Sequence, residues 1–555
     1  MQYYTNKSCH DYNKEYRKSN CNWHYNNLPN LRLMQSWGPI TLLIIFLSIT
    51  SQQIMNANAQ IPLIPHPGQH STASQQNISK IIGDLVTNNT NRKLVGGSST
   101  RIFSHFGVFE NRSSLSISAK SYHDRENQSR AIYLTNGNHS VSDPQVTADG
   151  TNVYVVWFDR SIGNGDIFFA RSTDNGTNFY QPVNLSHNPA NSFGPQIAAY
   201  GDNVYVTWSD FSNGNSAIFL ARSTDRGASF GNPIDVSNSP GNSQGPHITV
   251  YANSVYIAWS DNTPGKSSVY FAKSNNDGSS FDKPIKVNTG LGEARSPELS
   301  VSLGIVHLVW DDASYGNDEI FYSHSVDKGN TFSVPRNVSN NSGYSVEPQL
   351  STSGNNVYVV WSDRSPGDSE VFFAHSVDGG NTFNKAINLT NEMGCKYPCR
   401  IGFGGRSISP QISAAPDSQP QPYVVWNDLT NSKSDIIVGK YIGGAFSTPA
   451  LERKINNAKV FNFTDLTNGT MFSSEPKISV SEKNVNVVFS AFINGHTEVY
   501  YTSSNDSGNH FGKLVNISNS LQESVQKQIT SYGNRSFIIW VEVPSGTSNL
   551  SFLAR

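Results

Sequence analysis

From Asp143 to its C-terminus the chain repeats itself with a period of 51 residues. One landmark is a Pro followed by Gln-Ile or a similar pair. It stands at Pro144, Pro195, Pro246, Pro297, Pro348, Pro410 and Pro476, with Lys527 in the eighth place. The first four intervals and the last are 51 residues, and the two between them stretch to 62 and 66. A second landmark is an apolar run ending in an aromatic residue, as in Val153-Tyr154-Val155-Val156-Trp157. It recurs at Trp208, Trp259, Trp310, Trp361, Trp426, Phe489 and Trp540. A repeat of this length is one supersecondary unit that buries its apolar face only against a neighbour.

Each unit divides into four short runs of β-branched and aromatic residues separated by turn residues. In the first unit these are Pro144–Ala148, Val153–Trp157, Asp166–Ala170 and Pro182–Leu185. Stacked radially, such units leave only short edges, which predicts an all-β fold, a single β-propeller of four-stranded blades. Eight units predict eight blades; six or seven blades, an open array, or two smaller rings are the alternatives. The chain ends favour one ring. The eighth unit stops at Phe552-Leu553-Ala554-Arg555, short of its fourth strand, and Ile132–Asn136, upstream of the first unit, carries the fourth-strand pattern. An N-terminal strand is therefore expected to close the last blade.

Hydrophobic residues at 36% and charged residues at 15% fit many short strands joined by polar turns. A net charge of −2 offers no basic field for nucleic acid. The one long apolar run, Gly38–Thr50, is short for a membrane span and precedes a small-residue site at Ala57-Asn58-Ala59. Residues 1–59 therefore read as a signal peptide or signal anchor, and the chain as an extracellular or cell-surface protein. Any membrane contact is expected only through an uncleaved N-terminal segment. Asn77, Asn111, Asn184, Asn388, Asn462 and Asn516 head glycosylation sequons, which fits an exported glycoprotein. Residues 60–125, rich in Ser, Asn and Gln, read as a low-complexity linker, and 126–555 as the propeller.

A third landmark, Ser-x-Asp-x-Gly-x-x-Phe, lies between the third and fourth strands. It is centred on Asp174, Asp225, Asp327, Asp378 and Asp506, with Asn276 replacing Asp in unit three and no copy in unit six. The Asp accepts backbone N–H bonds in a tight turn and the Gly takes a conformation other residues resist, so these positions read as turn staples. The pattern resembles the Asp-box (BNR) repeat of sialidases and related propellers across most of residues 130–555. That resemblance implies a sialidase-like propeller, with exo-α-sialidase the first enzyme class to consider. Sialidases of the family have six blades, clamp the substrate carboxylate with three arginines, and use a Tyr nucleophile. Their first clamp arginine lies in an Arg-Ile-Pro type motif, whose nearest counterpart here is Arg101-Ile102-Phe103.

In antiparallel blades the Asp-box turns lie on one face, and the turns after the second strands lie on the other. The second set begins with its own acids: Asp159, Asp210, Asp261, Asp312, Asp363, Asp428 and Glu542, with Ala491 in unit seven. Acids also open several third strands: Asp166, Glu319, Glu370, Asp435 and Glu498. Either each acid caps its own turn, or some, Asp159 and Asp363 among them, line a funnel that binds sugar hydroxyls. The expanded connection between units five and six places Tyr397, Arg400 and Arg406 on that same face, around a Cys395–Cys399 pair that reads as a small disulfide. No metal site and no cofactor are expected. The leading expectation is a scaffold that binds a glycan or an extracellular protein through this face. The alternative is a glycoside hydrolase, with Arg160, Arg295, Arg364 and Arg406 as carboxylate clamps and Tyr397 as nucleophile.

Overall fold

The structure, a computed structural model, describes residues 131–555 except 136, 138, 162, 264, 289, 291, 315, 366, 391–406, 416–420, 430–433, 444–459 and 545. The described strands form eight antiparallel sheets of four strands each. In blade 1 the strands are Val141–Asp149, Asn152–Asp159, Asp166–Ser172 and Val183–Asn184, so the first two run further at both ends than their apolar cores suggest. First strands of successive blades touch in chain order, and that of blade 8, Glu523–Tyr532, returns to that of blade 1. The result is a closed eight-bladed β-propeller with the first strands around its axis.

Closure follows the expected route. Ile132 pairs with Phe552 and Tyr133 with Ser551, making the N-terminal strand the outermost strand of blade 8. The register continues past the strand, where the Leu134 N–H donates to the Leu550 carbonyl at 2.8 Å.

The second strands carry the core because both their faces meet other blades. In blade 1 every residue from Val153 to Asp159 is buried. Their tryptophans point backwards along the ring: Trp208 of blade 2 packs with Tyr154, Val156 and Phe169 of blade 1. The Asp turns add an outer seam. Phe179 meets Phe552 of blade 8 edge-on at 4.8 Å, and Phe230 meets Phe169 at 4.8 Å. Gly176, at φ 77°, lies against the same ring; a Cβ there would fall 2.5 Å from Phe552. Blade 6, which lacks the motif, fills the place with Phe461 from its longer fourth strand, Phe461–Asp465, and this ring meets Phe373 edge-on at 5.1 Å.

In the turn itself, Ser172 Oγ donates to Asp174 Oδ1 at 2.7 Å, and the Asn178 N–H donates to the same oxygen at 2.9 Å. Asn276 retains the pattern, its Oδ1 accepting the Ser280 N–H at 3.1 Å. The hydroxyl of Ser229 on Asp225 holds that carboxyl down at about 2.

Candidate functional site

The prolines of the repeat mark an interruption in each innermost strand. In blade 1 Ser142 pairs with Phe158 and Gln145 with Val156, so Asp143 and Pro144 together oppose Trp157. This is a β-bulge with its first residue left-handed, and Pro is tolerated at its second position because the ladder there is already broken. The first positions, Asp143, Gly194, Gly245, Ser296, Glu347, Ser409, Glu475 and Gln526, all have φ between 49° and 63°. In blades 2 and 3 glycine takes this conformation freely. In the other six blades a side chain is held there against a steric cost of roughly 1–2 kcal/mol each.

Five of these six side chains, all but Ser296, line a cavity of about 390 Å³ on the axis. Asp143, Glu347, Ser409, Glu475 and Gln526 are joined there by a deeper tier, Gln145, Gln349, Gln411, Lys477 and Gln528. Val141 pairs with Asp159 at the start of the first strand, so the lining residues lie nearer the end of the propeller that carries the turns after the second strands. Gln526 also borders a groove of about 330 Å³ between blades 8 and 1, flanked by Val141, Val525, Val541 and Val543.

The charged groups of the well are interlocked. Lys527, in the place other blades give to Pro, reaches Glu475 Oε2 at 3.0 Å and Ser490 Oγ at 2.7 Å. Burial pushes its ammonium down to about 8, and the Lys527 charge in turn holds Glu475 low. Lys477 Nζ donates to Gln411 Oε1 at 3.3 Å. On the far side of the axis His247 Nε2 meets Glu298 Oε2 at 3.1 Å, and Gln349 Nε2 donates to Glu298 Oε1 at 3.3 Å. No arginine is present among the described residues lining the well.

The acids after the second strands lie beneath the turns, buried and bonded within the fold. Asp363 Oδ2 accepts from Trp361 Nε1 at 2.9 Å, Asn341 Nδ2 at 2.6 Å and Ser345 Oγ at 2.8 Å, while Oδ1 accepts the Ser365 N–H at 2.8 Å. Asp159 accepts the Ser161 N–H at 2.8 Å and faces His139 Nδ1 at 2.6 Å. The acids that open the third strands hold the fourth strand in place: Ser186 Oγ donates to Asp166 at 2.7 Å, and Thr390 Oγ1 donates to Glu370. Glu370 is pushed up to about 7 by burial and by Asp428.

Arg160 follows the second strand of blade 1 and lies 5.1 Å over the Phe158 ring. Arg364 occupies the equivalent position in blade 5, half the ring away, and neither arginine lines the axial well. Arg295 of blade 4 is already engaged by carboxylates, with Asp318 at 3.1 Å, Asp311 at 3.6 Å and Glu293 at 3.9 Å. Tyr397, Arg400, Arg406, Cys395 and Cys399 lie outside the described residues.

No protein-family model matches the chain, and no curated protein matches it. Solved structures do. An ulvan lyase of a polysaccharide lyase family aligns with a TM-score of 0.41 at 11% identity, covering 66% of this chain and 94% of that one. The intramolecular trans-sialidase of Ruminococcus gnavus aligns with a TM-score of 0.33 at 12% identity, covering 65% and 92%. A sialidase of Trypanosoma rangeli aligns with a TM-score of 0.35 at 9% identity, covering 75% and 54%. At these scores none decides the chemistry of this chain, and the fold rests on its own strand pairing.

The bulge residues were missed by sequence reasoning, which took the Pro landmark as the start of an unbroken strand. The available signal was the Pro itself, since a proline inside an otherwise central strand marks a bulge or an edge.

Proposed function

We propose that this protein is an exported propeller that binds glycans, taking a neutral sugar residue into the axial well. One observation carries the reading: six blades hold a polar side chain at a strained position where glycine would be free of strain, and five of those side chains line one cavity. Amides, carboxylates and a hydroxyl are the donors and acceptors that sugar hydroxyls need. The interlocked lysines and the lack of arginine among the described lining residues suit a neutral sugar better than a carboxylate-bearing one. The Asp-box resemblance agrees with a glycan ligand. Tyr397, Arg400 and Arg406, which the sequence puts in the expanded connection between units five and six, are carried in this reading as candidate ligand contacts.

Gln349→Leu combined with Gln411→Leu should weaken binding of a neutral hexasaccharide by roughly tenfold to a hundredfold, the worth of two hydrogen bonds. Calorimetry against cello-, xylo-, laminari- and chito-hexaose measures this. Unchanged affinity, or binding only of sialylated glycans, would rule the well out.

A hydrolytic reading has one specific support, Glu370. A carboxyl near 7 is suited to give a proton at neutral pH. Under that reading turnover of aryl glycosides falls as pH rises through about 7, where the protonated form is lost, and Glu370→Gln removes it. Purified protein that turns over no aryl glycoside, or a Glu370→Gln variant that keeps full activity, excludes this role.

A further inference from the structure

Blade 7 departs from the other blades at the mouth of the well. Its first two strands, Phe472–Ser481 and Asn484–Ile493, are 10 residues each, against 9 and 8 in blade 1. The cause is the turn. Asn494 and Gly495, at φ 54° and 93°, close a two-residue hairpin in which Ile493 pairs with His496. An Asn-Gly hairpin of this kind needs no carboxylate cap, which explains why Ala491 stands where other blades carry Asp. The second strand therefore runs on past the level at which those of the other blades turn away.

Two phenyl rings ride on that extension. Phe472 and Phe492 are direct cross-strand partners, 52% and 50% exposed. Side chains alternate along a strand, so both share a face with Ser474 and Ser490. Ser490 accepts its bond from Lys527 of blade 8, which fixes that face as the one turned toward blade 8. Phe472 lies three residues before Glu475, which lines the well, on the same innermost strand.

We infer that Phe472 and Phe492 form a stacking platform for the apolar face of a pyranose, the next residue of a glycan chain whose end occupies the well. This rests on the glycan reading above. Half-exposed paired aromatic rings offer apolar surface, and three residues along the same innermost strand Glu475 begins this blade's share of the polar lining of the well. A sugar has both characters, C–H groups on its ring faces and hydroxyls on its edge. An apolar protein segment would have to leave the polar wall unsatisfied.

The test compares wild type, Phe472→Ala/Phe492→Ala and Gln349→Leu/Gln411→Leu by calorimetry. The probes are cello-, xylo-, laminari- and chito-hexaose and the matching disaccharides, with the melting temperature confirming each fold. The phenylalanine variant should lose affinity for the bound hexasaccharide by roughly tenfold or more and for its disaccharide by much less. Phe472→Tyr/Phe492→Tyr should restore it. If the hexasaccharide binds the alanine variant as well as wild type, while the glutamine variant fails, the platform is refuted and the well stands. If wild type binds none of the probes, the well reading fails and takes the platform with it. Self-association of wild type that the alanine variant abolishes would assign the rings to a second copy of the chain and overturn the sugar platform.

Discussion

A chain beginning at Val141 should melt well below one beginning at Asn127, and should self-associate where the longer chain does not. The shorter chain lacks the strand Ile132–Tyr133, and blade 8 is left with Asn549–Ala554 as an open edge. Unpaired strand edges recruit other chains. The deletion also removes Ile132 and Leu134 from the core they share with Phe537 and Phe552. The Tyr133 hydroxyl that donates to Glu542 at 2.9 Å is lost too, leaving that buried carboxyl short of a partner. Two half-buried aliphatics alone are worth on the order of 2–3 kcal/mol. Every described contact of the propeller survives in the longer chain. The consequence reaches beyond one blade, because each unit of a repeat array otherwise leans only on its neighbours and this strand ties the first to the last. Thermal melting followed by sedimentation measures both effects. Equal melting temperatures would show that the seam carries little of the ring's stability.

Asp363→Ala should destabilise the protein by about 3–5 kcal/mol, because it strips the acceptor from several buried donors at once. Trp361 Nε1, Asn341 Nδ2, Ser345 Oγ and the Ser365 N–H all point at this carboxylate. Asp378 on the opposite face of the same blade provides the contrast. It accepts from the Thr382 N–H at 2.9 Å and from its hydroxyl at 2.6 Å, in a turn open to solvent. Water replaces much of what Asp378→Ala removes, so that loss should be about 1 kcal/mol. Urea denaturation of the two variants gives the comparison. An Asp363→Ala protein that unfolds like wild type but no longer binds glycan would transfer this acid from the architecture to the ligand.

The same carboxylates show how far sequence reasoning reached. An Asp two residues after each strand-ending tryptophan is a local pattern, and its alternatives, turn cap or ligand group, cannot be separated along the chain. Burial separates them: Asp159 and Asp363 are 0% exposed, because the tryptophan two residues back brings its indole N–H against each carboxylate. The arginines were a matter of position around the ring. Arg160 and Arg364 share a motif, Asp-Arg, but stand in blades 1 and 5, with three blades between them on either side of the ring.

By itself the sequence determined the repeat and the four-strand plan of its units, and it pointed to eight blades and to the strand that closes the ring. These rest on hydrophobic alternation and turn residues acting over a few positions, copied along the chain, so one unit read correctly reads them all. Only the tertiary structure brought the residues of the well together. The well draws single residues from units 51 or more positions apart: Asp143, Glu347, Ser409, Glu475 and Gln526 become neighbours only once the ring has closed. Their left-handed backbone shows in the sequence only as the recurring proline one position on, since bulge, proline and opposing tryptophan belong to two strands at once. The Phe472–Phe492 wing depends likewise on a two-residue turn that lets one blade's second strand run longer than the rest, a difference with meaning only beside its neighbours.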